Sequence, residues 1–425
     1  VAKILWHSDA GSHTGFGTVT HNIGERLVRD YGHDIHVLAV NYNGDHVDTN
    51  LKLYLPTKLE RLDVYGQSRI VEMLAEIEPD VIVMLNDPHV IRKIQWRNNW
   101  DTEKVLLRYR PWVKDLLLKP GAGGDLLGPI TKNHPVVIAY MPVDGTNLPK
   151  LWDDLAITTQ PVLMADWGKT WLPDAPVIYH GVDTEQFRPA HERPYISSGG
   201  MRVASKRDAK EALGYDPDGF LVVRVDRNSE RKNFAGTWKA LLPVMRKHED
   251  IQVHFHCKAQ GDMGVELPPL FSRAPDVADR FFTAGYRKND ATKGWSVDDL
   301  AILYNAADLV VSTAWAEGFG LTLAEAIACE VPVIAQDCSS ITQVTGPGAV
   351  RIQPAGLITA PQGQDQWLPD IPAFSEAIEE LYLDADRRKE LGQAGRTHIK
   401  ESFSWDVAAK QFDQLINTLI GSGGS

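Results

Sequence analysis

The chain has 425 residues, 43% of them apolar and 24% charged, with 44 basic against 56 acidic side chains for a net charge of −12. That length suits two domains better than one ordinary core, and the composition is that of a globular protein rather than a disordered or fibrous one. The acidic balance argues against nucleic-acid binding by the whole surface, and no run reaches the ~18–20 apolar residues of a membrane span. Three sparse cysteines, Cys257, Cys329 and Cys338, each lie in or beside an apolar run. They read as buried free thiols in a reducing, cytoplasmic compartment.

In chain order, 4–6 reads as a strand, 7–18 as a loop containing Gly11, Gly15 and Gly17, 19–30 as a helix with Ile23 and Leu27 inward, and 35–40 as a strand. This strand, loop, helix, strand order opens a Rossmann-like domain. The glycines do not have the G-x-G-x-x-G spacing of a dinucleotide fingerprint. Strands at 81–85 and 136–141 each end in a polar cluster, the first containing His89 and the second Asp144. Carboxyl ends of parallel strands are where open α/β sheets bind ligands, although an Asp before Gly is also an ordinary turn former. Between these strands, 92–119 carries eight basic residues against three acidic ones, with Trp96, Trp100, Tyr109 and Trp112 interleaved. A solvated face is one reading of this stretch; an anion-binding surface is the other.

A strand at 177–179 runs into His180, Gly181, Val182 and Asp183, and Ser, Gly and basic residues over 193–207 suggest a linker or exposed loop. The α/β alternation restarts at 221–225, followed by DRNSERKN (226–233) and a helix from Phe234. Strands at 281–285, 309–311 and 331–335 and helices at 297–307 and 321–329 follow, then helices over 374–400 and 405–420. His254, His256 and Cys257 look like metal ligands, but in a strand the two histidines share one face and the cysteine the other. Asp384 and Asp386 fit turn or cap roles. Residues 421–425, Gly-Ser-Gly-Gly-Ser, have the composition of an expression linker.

The stretch EGFGLTLAEA, 317–326, places a loop with Gly318 and Gly320 between a strand and a helix, with seven residues between Glu317 and Glu325. Two glycines let backbone approach a ligand, and a helix N-terminus favours phosphate. A structural alternative is a capping box, with Thr322 as N-cap and Glu325 reaching back to its amide.

The glutamate pair resembles that of retaining glycosyltransferases of family 4, also called glycosyl transferases group 1, with the GT-B fold. Arg227 and Lys232 after the 221–225 strand, the G-V-D stretch at 181–183 and the N-terminal glycine loop are similar to the same family. The resemblance implies an α/β GT-B architecture of two Rossmann-like domains facing across a cleft. Residues 1–178 would form the acceptor-side domain, 179–207 an interdomain segment, 208–400 the nucleotide-sugar domain and 401–420 a terminal helix crossing back. It implies a retaining hexosyl or pentosyl transferase that uses a nucleotide sugar and no cofactor or metal. Arg227, Lys232, Glu317 and Asp144 would be catalytic. Gly15, Phe16, Gly17, Tyr286, Gly318, Phe319, Gly320, Leu321, Thr322 and Glu325 would bind the donor, Glu325 through the ribose hydroxyls. Arg97, Arg108, Arg110 and Trp112, within the basic stretch, are candidates for an anionic acceptor: a membrane lipid phosphate, a glycolipid or modified nucleic acid. A lipid acceptor would place the protein at the membrane periphery.

The chain departs from the family at Asp226 and Glu330, each standing where glycine is usual, at His180, where asparagine is usual, and at 338–343, where a Gly-rich turn and a glutamate are usual. Other GT-B enzymes, such as an epimerase or a phosphorylase, and a noncatalytic carbohydrate- or nucleic-acid-binding protein are the rival readings.

Overall fold

The computed structural model describes residues 1–11, 14–56, 65–94, 135–284 and 295–422. They form two compact units: 1–143 with 148–181 and 405–425, and 144–147 with 182–404.

The first unit is built on β1 (Lys3–Asp9), β2 (Asp34–Val40), β3 (Lys52–Tyr54), β4 (Val81–Leu85), β5 (Val136–Met141) and β6 (Gln160–Leu163). All pairs are parallel and the order is β3-β2-β1-β4-β5-β6. The central strands are buried along almost their whole length, which is why they read as unbroken apolar runs. Helix α1 (Gly15–Tyr31) begins four residues before the expected position. Thr14 causes this: its hydroxyl accepts from the Gly17 amide at 3.1 Å and donates to Asp9 at 2.7 Å, capping a helix inside the glycine stretch. The terminal helix, Trp405–Ser422, belongs to this unit. Its Phe412 ring packs 5.8 Å from Trp6 and 5.0 Å from Tyr140, while Asp406 pairs with Arg26 at 2.6 Å and Asp413 with His33 at 2.9 Å. His180 lies between Tyr140 and Trp405, and burial lowers its pKa to about 3, so it is a neutral packing residue.

The second unit repeats the plan with β9 (Phe220–Val225), β10 (Ile251–His256), β11 (Phe281–Thr283), β12 (Leu309–Ser312), β13 (Val333–Gln336) and β14 (Ala349–Ile352). The order is β11-β10-β9-β12-β13-β14, again all parallel. In each sheet the order reverses next to the first strand, between β1 and β4 and between β9 and β12, and ligand crevices form at the carboxyl ends there.

Two expectations fail. Val177 makes only an isolated bridge to Leu163, not a strand. Residues 193–207 are not a loose linker, because Tyr195–Ile196 and Arg202–Val203 pair as an antiparallel hairpin that leads into a helix, Lys206–Leu213. Tyr195 is the anchor: its hydroxyl donates to Gln186 O at 2.7 Å and accepts from the Arg188 amide at 3.1 Å, with the Arg188 guanidinium 4.0 Å over its ring. The three cysteines are free and buried. Cys257 joins the core of the second sheet, while His254 and His256 pack around Trp295 on the other face.

Glu330 has φ +63, a left-handed conformation that costs a residue with a Cβ roughly 1–2 kcal/mol. Glu330→Gly should therefore raise the melting temperature, by roughly 1 kcal/mol of stability. A lowered melting temperature would show that the glutamate side chain compensates for its backbone.

Candidate active site

The chain leaves β12 and turns under Glu317, whose side chain is buried. The turn is held from behind by two serines: Ser339 Oγ accepts from the Glu317 amide at 3.0 Å, and Ser340 Oγ lies 2.7 Å from Glu317 O and 3.0 Å from Phe319 O. These serines occupy part of the stretch where the sequence departs from the family pattern. Phe319 packs edge-on against Phe403 at 5.3 Å. Gly320 then takes φ +98, open only to glycine at low cost, and serves as N-cap of the helix Leu321–Ala328. The capping box is thereby ruled out. The helix starts before Thr322, which lies in its first turn and is not the cap. The amides of Leu321 and Thr322 are among the first-turn donors that a helix leaves without an internal partner.

Around Glu317 the second unit assembles a lattice of alternating charge. Lys232 Nζ lies 2.6 Å from Glu317 Oε1 and also pairs with Asp226. Arg231 bridges Glu317 Oε2 at 3.2 Å and Asp144 Oδ2 at 3.2 Å. Behind them Arg224, buried in β9, reaches Asp226 at 3.3 Å and donates to Lys232 O and the Thr237 hydroxyl. Burial alone would raise the Glu317 pKa, but Lys232 and then Arg231 hold it below the usual carboxylate value. Burial works against the charge on Arg224, lowering its pKa from the ordinary guanidinium value, and Asp226 opposes that shift. Three cations thus face three carboxylates at the carboxyl ends of β9 and β12, where the strand order reverses.

Glu325 projects from the following helix and accepts from the Tyr304 hydroxyl at 3.3 Å. It does not reach back to the helix start. Burial pushes its pKa up to about 8, and the tyrosine pulls the other way.

Lys232, Glu317 and Asp144 therefore come together, joined by Arg231, which was not singled out in the sequence. The only signal was the Arg231-Lys232 doublet. Arg227 stands apart: its side chain is 62% exposed and pairs with Asp262 at 3.1 Å. Gly15, Phe16 and Gly17 form the first turn of α1 in the other unit, not a loop, and the Gly17 amide is already taken by Thr14. Tyr286 lies outside the described residues, as do Arg97, Arg108, Arg110 and Trp112. Arg92, at the start of the basic stretch, is described and pairs with Asp154 at 3.6 Å. His89 stacks on Trp152 at 6.4 Å. Among the described residues His191, Glu192 and Glu330 offer ligand atoms within 4.8 Å of one another, but Glu192 is already committed to Arg396.

Residues 288–398 match the family of glycosyl transferases group 1. Among curated relatives, the chain is 35% identical over 243 residues to a D-inositol 3-phosphate glycosyltransferase of Salinispora tropica, covering 55% of the chain and 44% of the relative. It is 27% identical over 276 residues to a lipopolysaccharide core biosynthesis mannosyltransferase of Rhizobium meliloti, covering 63% and 69%. The chain spans about half the length of most of the curated relatives it matches. Among solved structures, sucrose-phosphate synthase of Thermosynechococcus elongatus superposes with a TM-score of 0.65 over 99% of this chain and 100% of that one, at 16% identity. WaaG, a glycosyltransferase of lipopolysaccharide biosynthesis, gives 0.60 over 97% and 99%, at 14% identity. The fold is GT-B.

The Glu325 carboxyl makes stability depend on pH. With a pKa of about 8 in the fold against an ordinary 4.5, the folded form keeps a proton that the unfolded chain has released. Its contribution is complete below 4.5 and is lost as the pH rises through 8. Glu325→Gln, which fixes the neutral form, should flatten the fall in melting temperature across that window. An unchanged profile would mean that the carboxyl is ionised in the fold.

Proposed function

We propose that the chain transfers a hexosyl or pentosyl group from a nucleoside-diphosphate sugar to an acceptor, with retention of configuration and without a metal ion. The observation that carries this reading is the lattice centred on Glu317. A departing diphosphate needs fixed positive charge where its own charge develops, and preorganised donors in a low-dielectric site supply it without reorganisation. Lys232 and Arg231 bring that charge to the loop whose amides, at Gly318, Phe319 and Gly320, precede the helix N-terminus at Leu321 and Thr322. Glu317 would orient the donor sugar and exchange part of its ion pairing for sugar hydroxyls as the diphosphate arrives. Glu325, protonated in the free fold, would meet the ribose diol with its carbonyl oxygen accepting from one hydroxyl and its own hydroxyl donating to the other. Asp144 acts through Arg231, holding its guanidinium, and is a positioning residue in this scheme.

The names of the relatives support a sugar donor and a polar acceptor. One acts on an inositol phosphate and one belongs to lipopolysaccharide core synthesis; a solved GT-B neighbour from Anabaena was captured with UDP and glucose. The net +5 over 92–119 favours an acceptor bearing phosphate, as a lipid phosphate, a glycolipid or modified nucleic acid. No helix among the described residues is long and apolar enough to cross a membrane.

Donor hydrolysis followed without acceptor tests the scheme. Lys232→Ala and Arg231→Ala should each lower turnover by about 10²–10³-fold, the loss typical of removing one charge-stabilising donor. Arg227→Ala should cost far less, since its side chain points to Asp262 instead. Equal losses at all three positions would put Arg227 back in the clamp, and no loss at Lys232 would remove the diphosphate assignment. Activity should also survive EDTA, because fixed cations take the metal's part. A loss restored by magnesium or manganese would show a carboxylate-held ion.

A further inference from the structure

Next to the charged lattice the second unit has a concavity of about 340 Å³ whose lining includes Phe234, Met263, Val265 and Trp315 together with Glu230 and Asn233. It falls at the small end of the ~300–1,000 Å³ range of small-molecule sites. We propose that this is a subsite for a neutral sugar ring of the acceptor glycan, lying beyond the ring that receives the transferred sugar. The proposal rests on the glycosyltransferase reading above and adds the chemistry of the acceptor.

The composition of the lining decides the ligand class. Aromatic and aliphatic side chains suit the C–H face of a pyranose. The Glu230 carboxylate supplies an acceptor for its hydroxyls, while the Asn233 amide is held by Gly236 N and Thr313 O and shapes the wall. No cation lines the concavity. The nearest ones in sequence are committed elsewhere: Arg231 to Asp144 and Glu317, Lys232 to Asp226 and Glu317, Arg227 to Asp262. A phosphate or carboxylate would meet Glu230 without compensation, and a wholly apolar ligand would strip water from Glu230 with nothing in return. Phe234 opens the helix Phe234–Lys247, whose Asn233 cap accepts from Gly236 N. That leaves the Phe234 amide among the orphan donors of a helix start, available to a hydroxyl oxygen.

The walls are fixed before any ligand arrives. The Trp315 amide donates to Arg231 O at 2.9 Å, and its carbonyl accepts from the Trp367 amide at 3.1 Å. Asn228 Nδ2 ties Lys258 O at 3.2 Å to Val265 O at 2.8 Å behind the opposite wall. Trp315 lies two residues before Glu317, and Glu230 directly precedes Arg231. A ring bound here is therefore read by the same two loops that hold the charged lattice. Met263, 67% exposed, stands at the rim. A glycan can carry phosphate elsewhere and still present a neutral ring to this site.

The test uses the full chain and three neutral disaccharides, maltose, cellobiose and α-1,2-mannobiose, with binding followed by saturation-transfer NMR. At least one should bind, and Trp315→Ala and Val265→Arg should each weaken it by at least about tenfold, as removal of an aromatic anchor does at other interfaces. Nucleoside-diphosphate binding, measured in parallel by thermal shift, should be unchanged in both variants. If Trp315→Ala does not fold, Val265→Arg and Met263→Ala carry the comparison. Absence of transfer from all three disaccharides, a bound disaccharide indifferent to the variants, or displacement of a bound disaccharide by inorganic phosphate would each overturn the proposal. Failure of nucleotide binding alone, with disaccharide binding intact and sensitive to the variants, would instead count against the glycosyltransferase reading while supporting the subsite.

Discussion

A carboxylate buried without a partner is among the most expensive things a fold can contain, and Glu317 is buried. The architecture around the site answers that constraint. Lys232 and Arg231 neutralise Glu317, and each is itself neutralised on its far side, by Asp226 and Asp144. The loop that carries Glu317 is clamped by Ser339 and Ser340, which fix its backbone amide and carbonyl. On the proposed reading such a site is preorganised for an incoming diphosphate, whose oxygens would exchange with carboxylates already paired to the two cations.

One departure from the family pattern, Asp226, is compensated within the charged lattice. Asp226 stands where glycine is usual and brings a negative charge to the end of β9. Lys232 and the buried Arg224 take it up. Arg231 adds a cation to the loop, and Asp144 takes that one up. Asp144 is placed by its neighbours: its carbonyl accepts from Gln366 Nε2 at 3.0 Å, and Asn147 donates to Asp365 at 2.8 Å, both partners lying on the strand Asp365–Leu368. Together these pairings leave the lattice balanced.

Much of this was legible in the chain itself, for physical reasons that differ by element. Residues 81–85 and 136–141 are fully buried parallel strands and so appear as apolar runs with sharp ends. The helix at 321 announced itself through the glycines before it, although the capping box did not form, because the left-handed Gly320 starts the helix early. The start of α1 was missed because the cap is made by Thr14 with Asp9, a pairing with no pattern along the chain. Residues 193–207 looked like a linker since their small and basic side chains hide the anchoring role of Tyr195. In the site, Glu317 and Lys232 were named through the family resemblance, and the structure brings them together. Arg231 was not, since its role depends on two partners 86 residues or more away in sequence.

The central claim is that this lattice and the adjoining helix start form a nucleoside-diphosphate site. Its most direct measurement is the thermal shift of the purified chain against UDP, GDP, ADP, TDP and CDP, alongside the corresponding nucleosides. One diphosphate should stabilise the fold by about 2.7 kcal/mol at 100 times its dissociation constant. Its nucleoside should do much less, and Lys232→Met should abolish the difference between them. If no diphosphate shifts the transition, or if nucleoside and diphosphate shift it equally, the charges around Glu317 serve the fold alone.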